Sequence, residues 1–116
     1  MNVLIVEDEM PASVRLSKIL KKIDPAIRVS GVAETVEEAV NRLQDNPVPD
    51  LVLMDIQLGD GLCFEIFETI SVDVPVIFTT AYDEYTLRAF KVNSVDYLLK
   101  PVEEQALASA LGKFRK

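Results

Sequence analysis

The stretch Val95-Asp96-Tyr97-Leu98-Leu99-Lys100-Pro101 reads as a buried strand that runs into a lysine and stops. A proline has no N–H to give a sheet ladder and biases the residue before it away from helix, so the strand ends at Lys100. One long cation thus stands at the carboxyl end of a strand, the edge where open α/β sheets hold their ligands. A lysine that must turn back over such an edge predicts a cis Lys100–Pro101 peptide, since X-Pro is the bond where cis costs little, about 0.5–1 kcal/mol.

Outward from this stretch the same pattern recurs. VLIV (residues 3–6), IRVSGVA (27–33), LVLM (51–54) and VIFTT (76–80) are short runs rich in Val, Ile and Leu, and each is followed by a helical pattern. Ala12, Leu16, Ile19, Leu20 and Ile23 form one apolar stripe, and Val36, Ala39, Val40 and Leu43 form another. Cys63, Ile66, Phe67 and Ile70 repeat that spacing, and Ala106, Leu107, Ala110, Leu111 and Phe114 give a last amphipathic helix with basic residues at its end. Over residues 83–91 the apolar pattern for a further helix, Leu87 and Phe90, is thin.

Punctuation agrees with this division. Pro11 suits a first helical turn, Thr35 with Glu38 forms a capping box, and Pro25, Pro49 and Pro75 stand before strands. Near-continuous apolar strands alternating with helices predict a doubly wound, five-stranded parallel sheet covered on both faces by five helices.

The bulk composition narrows the function. At 116 residues the chain is expected to be a single domain over 1–116. The lone cysteine, Cys63, has no partner within the chain, which suits a reducing compartment. MNVLIVEDE has no basic leader segment and no apolar run reaches membrane-spanning length, so the expected location is the cytoplasm, without a membrane partner. A net charge of −7, from 19 acids and 12 bases, disfavours direct nucleic-acid binding, which needs a basic face. Histidine is absent, so any chemistry must run on carboxylates, lysine and hydroxyls, with or without a hard metal.

In a parallel sheet, the residues just after each strand share one edge. Here they are Glu7, Asp8 and Glu9, then Asp55, Thr80 and Lys100. Acids gathered there repel unless a cation joins them, and Mg²⁺ prefers such oxygen donors. A carboxylate, a hydroxyl, a lysine and a metal are together the parts needed to take up a phosphoryl group. Taken singly, Glu7-Asp8-Glu9 reads as a solvated loop, Asp55 as an N-cap, Thr80 as an ordinary strand residue and Lys100 as a surface charge. Their shared edge is what sets those readings aside. No glycine-rich phosphate loop is present, and Gly59 with Gly61 reads as a turn.

LIVEDE, LVLMDIQLGDG, VIFTTAYDEY and VDYLLKP, in this order and at these spacings, resemble the CheY-like receiver domain of bacterial two-component response regulators. The resemblance covers essentially the whole chain. It implies a flavodoxin-like strand order 2-1-3-4-5, Asp55 as the phosphoacceptor, and Glu7 and Asp8 as the acidic pair holding Mg²⁺ together with Asp55. Gln57 would lend the metal a backbone carbonyl, Thr80 and Lys100 would contact the phosphoryl group, and Tyr97 would be the switch aromatic. The chain departs from many receivers in having Glu7-Asp8 rather than two aspartates, and Leu58-Gly59 rather than Met-Pro.

DIQLGDGLCFEIFE and FTTAYDEYTLRAFKVNSVDYLLKP are similar to LytTR-type receivers, whose separate C-terminal domain binds DNA. The implied partners are a sensor histidine kinase, a second copy meeting through the last strand and its flanking helices, and DNA through a domain outside this chain. A freestanding receiver is the alternative. An aspartyl-nucleophile hydrolase would want an acid where Gln57 stands and a cap over its substrate. A flavin-binding flavodoxin would want Ser, Thr and Gly in place of VEDE.

Overall fold

The computed structural model describes residues 1–45, 47–89, 91–92 and 94–115, and of Leu87 only the backbone. Along the chain run β1 (Asn2–Val6), α1 (Met10–Ile23), β2 (Arg28–Ala33), α2 (Val36–Gln44), β3 (Leu51–Met54) and the short β4 (Gln57–Leu58) and β5 (Gly61–Leu62). Then come α3 (Phe64–Thr69), β6 (Val76–Thr80), α4 (Thr86–Ala89), β7 (Ser94–Leu99) and α5 (Glu104–Arg115). One five-stranded parallel sheet has the order β2-β1-β3-β6-β7. With the separate β4–β5 hairpin left out of the count, this is the expected order 2-1-3-4-5.

Strand alternation sorts the core into two layers. Leu4, Val6, Val52, Met54, Val76 and Phe78 pack with Ala39 and Leu43 of α2 and with Phe64 and Ile66 of α3. Val3, Ile5, Leu51, Leu53, Ile77 and Leu98 pack on the opposite face with Leu16 and Leu20 of α1 and with Leu107, Ala110 and Leu111 of α5. Both faces being covered, β3 and β6 are buried at every position, while the edge strand β2 alternates exposed and half-buried residues up to the buried Ala33. Each large apolar side chain so buried contributes roughly 1.5–3 kcal/mol.

Helix ends follow the sequence signals. Pro11 lies in the first turn of α1, and Lys21 and Lys22 in its last. The Thr35 hydroxyl accepts the Glu38 N–H at 3.0 Å and caps α2. The returning arm of the box is displaced by one residue: the Glu38 carboxylate accepts the N–H of Glu34, at 3.3 Å. Lys113 and Arg115 end α5 and pair with Asp96 at 2.9 Å and Asp24 at 2.7 Å. The Lys100–Pro101 peptide is cis, as the sequence predicts.

Two expectations need correction. Among the described residues four helices, not five, run beyond about one turn: the one expected over 83–91 shows as the four residues Thr86–Ala89. Ala89 is its one buried residue among those described, Arg88 is exposed, and Phe90 lies outside the described residues. So short a segment with so little to bury gains little from helix propagation. The β4–β5 hairpin, with Gln57 opposite Leu62 and Leu58 opposite Gly61, was not expected at all.

Candidate functional site

The sheet ladder carries on one residue beyond the strands and thereby builds the site. Glu7 donates its N–H to the Ala33 carbonyl, Asp55 to Val6 and Lys100 to Thr80, each at 2.8 Å. Glu7 and Asp55 continue the alternation of Ile5 and Leu53, so both side chains leave the sheet on the same side.

Carboxylate oxygens of Glu7, Asp8 and Asp55 lie within 4.8 Å of one another. Glu7 is only 1% exposed and Asp55 6%, whereas Asp8 is exposed. The Lys100 ammonium stands 2.6 Å from Glu7 Oε1 and 2.9 Å from Asp55 Oδ2. Asp55 Oδ1 accepts the Ile56 N–H at 2.7 Å, and Glu7 Oε2 accepts that of Glu9 at 3.1 Å. Burial pushes the Glu7 carboxyl up to about 7; the Lys100 hydrogen bond opposes this and the Asp55 charge adds to it. For Lys100, burial alone would favour loss of the proton, but the hydrogen bonds to Glu7 and Asp55 more than offset it and its pKa is raised.

A cavity of about 420 Å³ opens over this cluster, with Asp8, Asp55, Gln57, Ala81, Tyr82 and Lys100 in its wall. Oxygen-only donors around a fixed ammonium fit a hard divalent cation and a phosphoryl anion. The donor set therefore passes the chemical test for Mg²⁺, with Glu7, Asp8 and Asp55 as its carboxylates.

Other residues singled out in the sequence make their contacts outside this carboxylate–lysine cluster. Gln57 lines the cavity with an exposed side chain whose Nε2 donates to the Tyr85 hydroxyl at 3.2 Å. Thr80 is fully buried, and its hydroxyl accepts the Tyr82 N–H at 3.3 Å. The neighbouring Thr79 hydroxyl is buried and has no hydrogen-bond partner among the described residues. Tyr97 is half-buried on β7, packs its ring against Phe78, and donates its hydroxyl to the Tyr82 carbonyl. Burial raises its phenol above the ordinary value. Glu9 belongs to the cavity wall and precedes α1, outside the carboxylate cluster.

Three residues escaped the sequence reading. Tyr82 joins Thr80 to Tyr97 through its backbone, so its side-chain type could not have signalled the role. Tyr85 touches Gln57 from a segment with almost no helical periodicity. Asp60 Oδ1 accepts the Val36 N–H at 2.7 Å and Oδ2 that of Glu37 at 3.3 Å, which holds its carboxyl below the usual range. The visible signal for Asp60 was an Asp-Gly pair, which reads as turn chemistry.

Residues 3–112 match the response regulator receiver domain family. The sensory transduction protein LytT of Bacillus anthracis is 39% identical over 119 residues, an alignment covering 100% of this chain and 48% of LytT. The positive alginate biosynthesis regulatory protein of Pseudomonas aeruginosa is 43% identical, over 97% of this chain and 46% of that protein. The chain thus spans about half the length of these relatives. Among solved structures, the response regulatory domain of mrkE from Klebsiella pneumoniae superimposes with a TM-score of 0.84 at 30% identity, covering 99% of this chain and 95% of that one. The N-terminal domain of a response regulator/sensory box/GGDEF protein from Carboxydothermus hydrogenoformans gives 0.79 at 32%, covering 99% and 94%. Sheet order, motif order and these likenesses agree, and the chain belongs to the receiver domain family of two-component response regulators.

Proposed function

We propose that this domain is a phosphorylation switch in which Asp55 accepts a phosphoryl group from a histidine kinase. The observation that carries the reading is the Lys100 ammonium seated between Asp55 and Glu7, 2.9 and 2.6 Å away, beside a third carboxylate at the sheet edge. An Asp55 oxygen attacks phosphorus, an acyl phosphate O–P bond forms, and the N–P bond of the donor phosphohistidine breaks. The released imidazole keeps its electron pair and takes a proton. Lys100 then moves its interaction from the carboxylate to the phosphoryl oxygens. Glu7, Asp8, Asp55 and the Gln57 carbonyl would hold Mg²⁺, which supplies positive charge against the phosphoryl oxygens when bound. The domain acts as a signalling switch that promotes its own phosphorylation and dephosphorylation, with Thr80 and Tyr97 as its moving parts.

Several observations support the rest of the reading. A net charge of −7 fits a domain that reaches DNA only through a separate LytTR-type module. No described helix is long and apolar enough to cross a membrane, and a lone reduced cysteine fits the cytoplasm, where the kinase would present its phosphoryl group. A second copy would dock on β7 and its flanking helices, where Thr86, Val95, Tyr97 and Lys113 line a cavity of about 230 Å³.

Intact-mass measurement after incubation with acetyl phosphate and Mg²⁺ tests the proposal. The wild type should gain one phosphoryl mass and Asp55→Asn none; a full gain in Asp55→Asn would overturn the assignment.

A further inference from the structure

The loop that follows Asp55 is held in an unusual way. Its backbone folds into the β4–β5 hairpin, with two residues on each side and Gly59-Asp60 at the tip. At the base, the Cys63 N–H donates to the Ile56 carbonyl at 2.7 Å. Strands this short have no independent stability, and a glycine at the tip widens the range of shapes available to the turn. The tip is instead fastened to another element. The Asp60 carboxylate accepts the N–H groups of Val36 and Glu37, at 2.7 and 3.3 Å, across 24 residues of chain. These are donors of the first turn of α2, which that helix cannot satisfy itself. α2 is a firm post, because Ala39 and Leu43 anchor it to the sheet and Thr35 caps it independently. Gln57 lies between the pinned base and the pinned tip.

From this we infer that Asp60 is a positioning residue of the phosphorylation site: its hold on α2 fixes the hairpin and so sets where Gln57 presents its carbonyl to the metal. The inference rests on the proposed Mg²⁺ and phosphoryl chemistry. Carboxylate capping from a distant loop does two things at once, finishing a helix and fixing a ligand-bearing turn. Outer partners of metal ligands commonly matter on this scale. The Thr35 cap of the same helix end makes the two effects separable, since its hydroxyl bonds Glu38 of α2.

The test compares Mg²⁺ affinity, followed by the amide spectrum during titration with Mg²⁺ alone, in the wild type, Asp60→Ala, Asp60→Asn and Thr35→Ala, with thermal midpoints recorded alongside. Asp60→Ala should weaken Mg²⁺ binding roughly tenfold, the low end for an outer partner. Asp60→Asn, which keeps one acceptor for the Val36 N–H, should recover most of the loss. Thr35→Ala should lower the thermal midpoint about as much as Asp60→Ala while leaving Mg²⁺ affinity within twofold. A folded Asp60→Ala that binds Mg²⁺ as the wild type does overturns the inference alone, as does a Thr35→Ala that loses affinity equally. A wild type that binds no Mg²⁺ overturns both the inference and the functional reading beneath it.

Discussion

Lys100 is the residue through which the site became legible, and Glu7 is the one whose state the sequence could not give. A lysine before a proline at a strand end is a local pattern, readable without coordinates. The 1% exposure of Glu7 is a product of the whole sheet edge closing over it, and that burial pushes its carboxyl from 4.5 up to about 7. The folded protein therefore holds more protons than the unfolded chain between those values, so stability falls as pH rises through that window. Asp24 and Asp60 act the other way, their pKa values being lowered chiefly by the backbone N–H groups of Ala26 and Val36. Their contributions are present above the unfolded value of 3.8 and lost as pH falls below it, so they have levelled off where Glu7 titrates. In metal-free buffer, urea midpoints of the wild type should decline from about pH 5 to about pH 7.5, and Glu7→Gln, neutral throughout, should flatten that decline. Equal slopes in the two proteins would show that burial of Glu7 is not their source.

The major elements announced themselves because period and punctuation coincide: VLIV, LVLM and VIFTT are too apolar for a half-exposed strand, and the stripes of α1 and α5 repeat at helical spacing. The β4–β5 hairpin stayed hidden because two-residue strands have no period to read. Its geometry depends on Gly61, whose φ of 151° favours glycine. A Cβ there would stand 2.0 Å from Glu65 Oε2, the oxygen that accepts the Leu62 N–H at 3.0 Å. Gly61→Ala thus strains the backbone and displaces a hydrogen-bonded carboxylate, and should cost about 1–2 kcal/mol in urea unfolding. Part of that cost disappears if the carboxylate has already been removed. In Glu65→Ala, the same glycine substitution should therefore cost less, the difference being the coupling in a double-mutant cycle. Full additivity of the two changes would remove Glu65 from the argument.

At the scale of the whole molecule, the site and the face around β7 are joined by one short piece of backbone. The Tyr82 N–H donates to the Thr80 hydroxyl while its carbonyl accepts the Tyr97 hydroxyl, so a residue at the cavity wall is held from both sides. In the proposed switch, phosphorylation of Asp55 would add nearly two negative charges beside the end of β6, and the Thr80 hydroxyl would then be drawn to donate toward the phosphoryl oxygens. The Tyr82 N–H would lose its acceptor, the Tyr82 carbonyl would shift, and the Tyr97 ring, already packed against Phe78, would be released from that carbonyl to turn further inward. The face lined by Thr86, Val95 and Lys113 would change shape with it, and exposed Leu99 at the end of the same strand would add apolar surface for the proposed second copy. Strand alternation sends Thr79 and Thr80 to opposite faces of the sheet, and the Thr80 hydroxyl is the one bonded to the Tyr82 N–H at the cavity wall. Beryllofluoride with Mg²⁺, a phosphoryl mimic, should alter the Tyr97 ring resonances and increase self-association in the wild type. Thr80→Ala, still able to bind the mimic at Asp55, should show neither response, whereas Thr79→Ala should retain both. Unchanged ring signals in the wild type, or a full response in Thr80→Ala, would place the signal on another route.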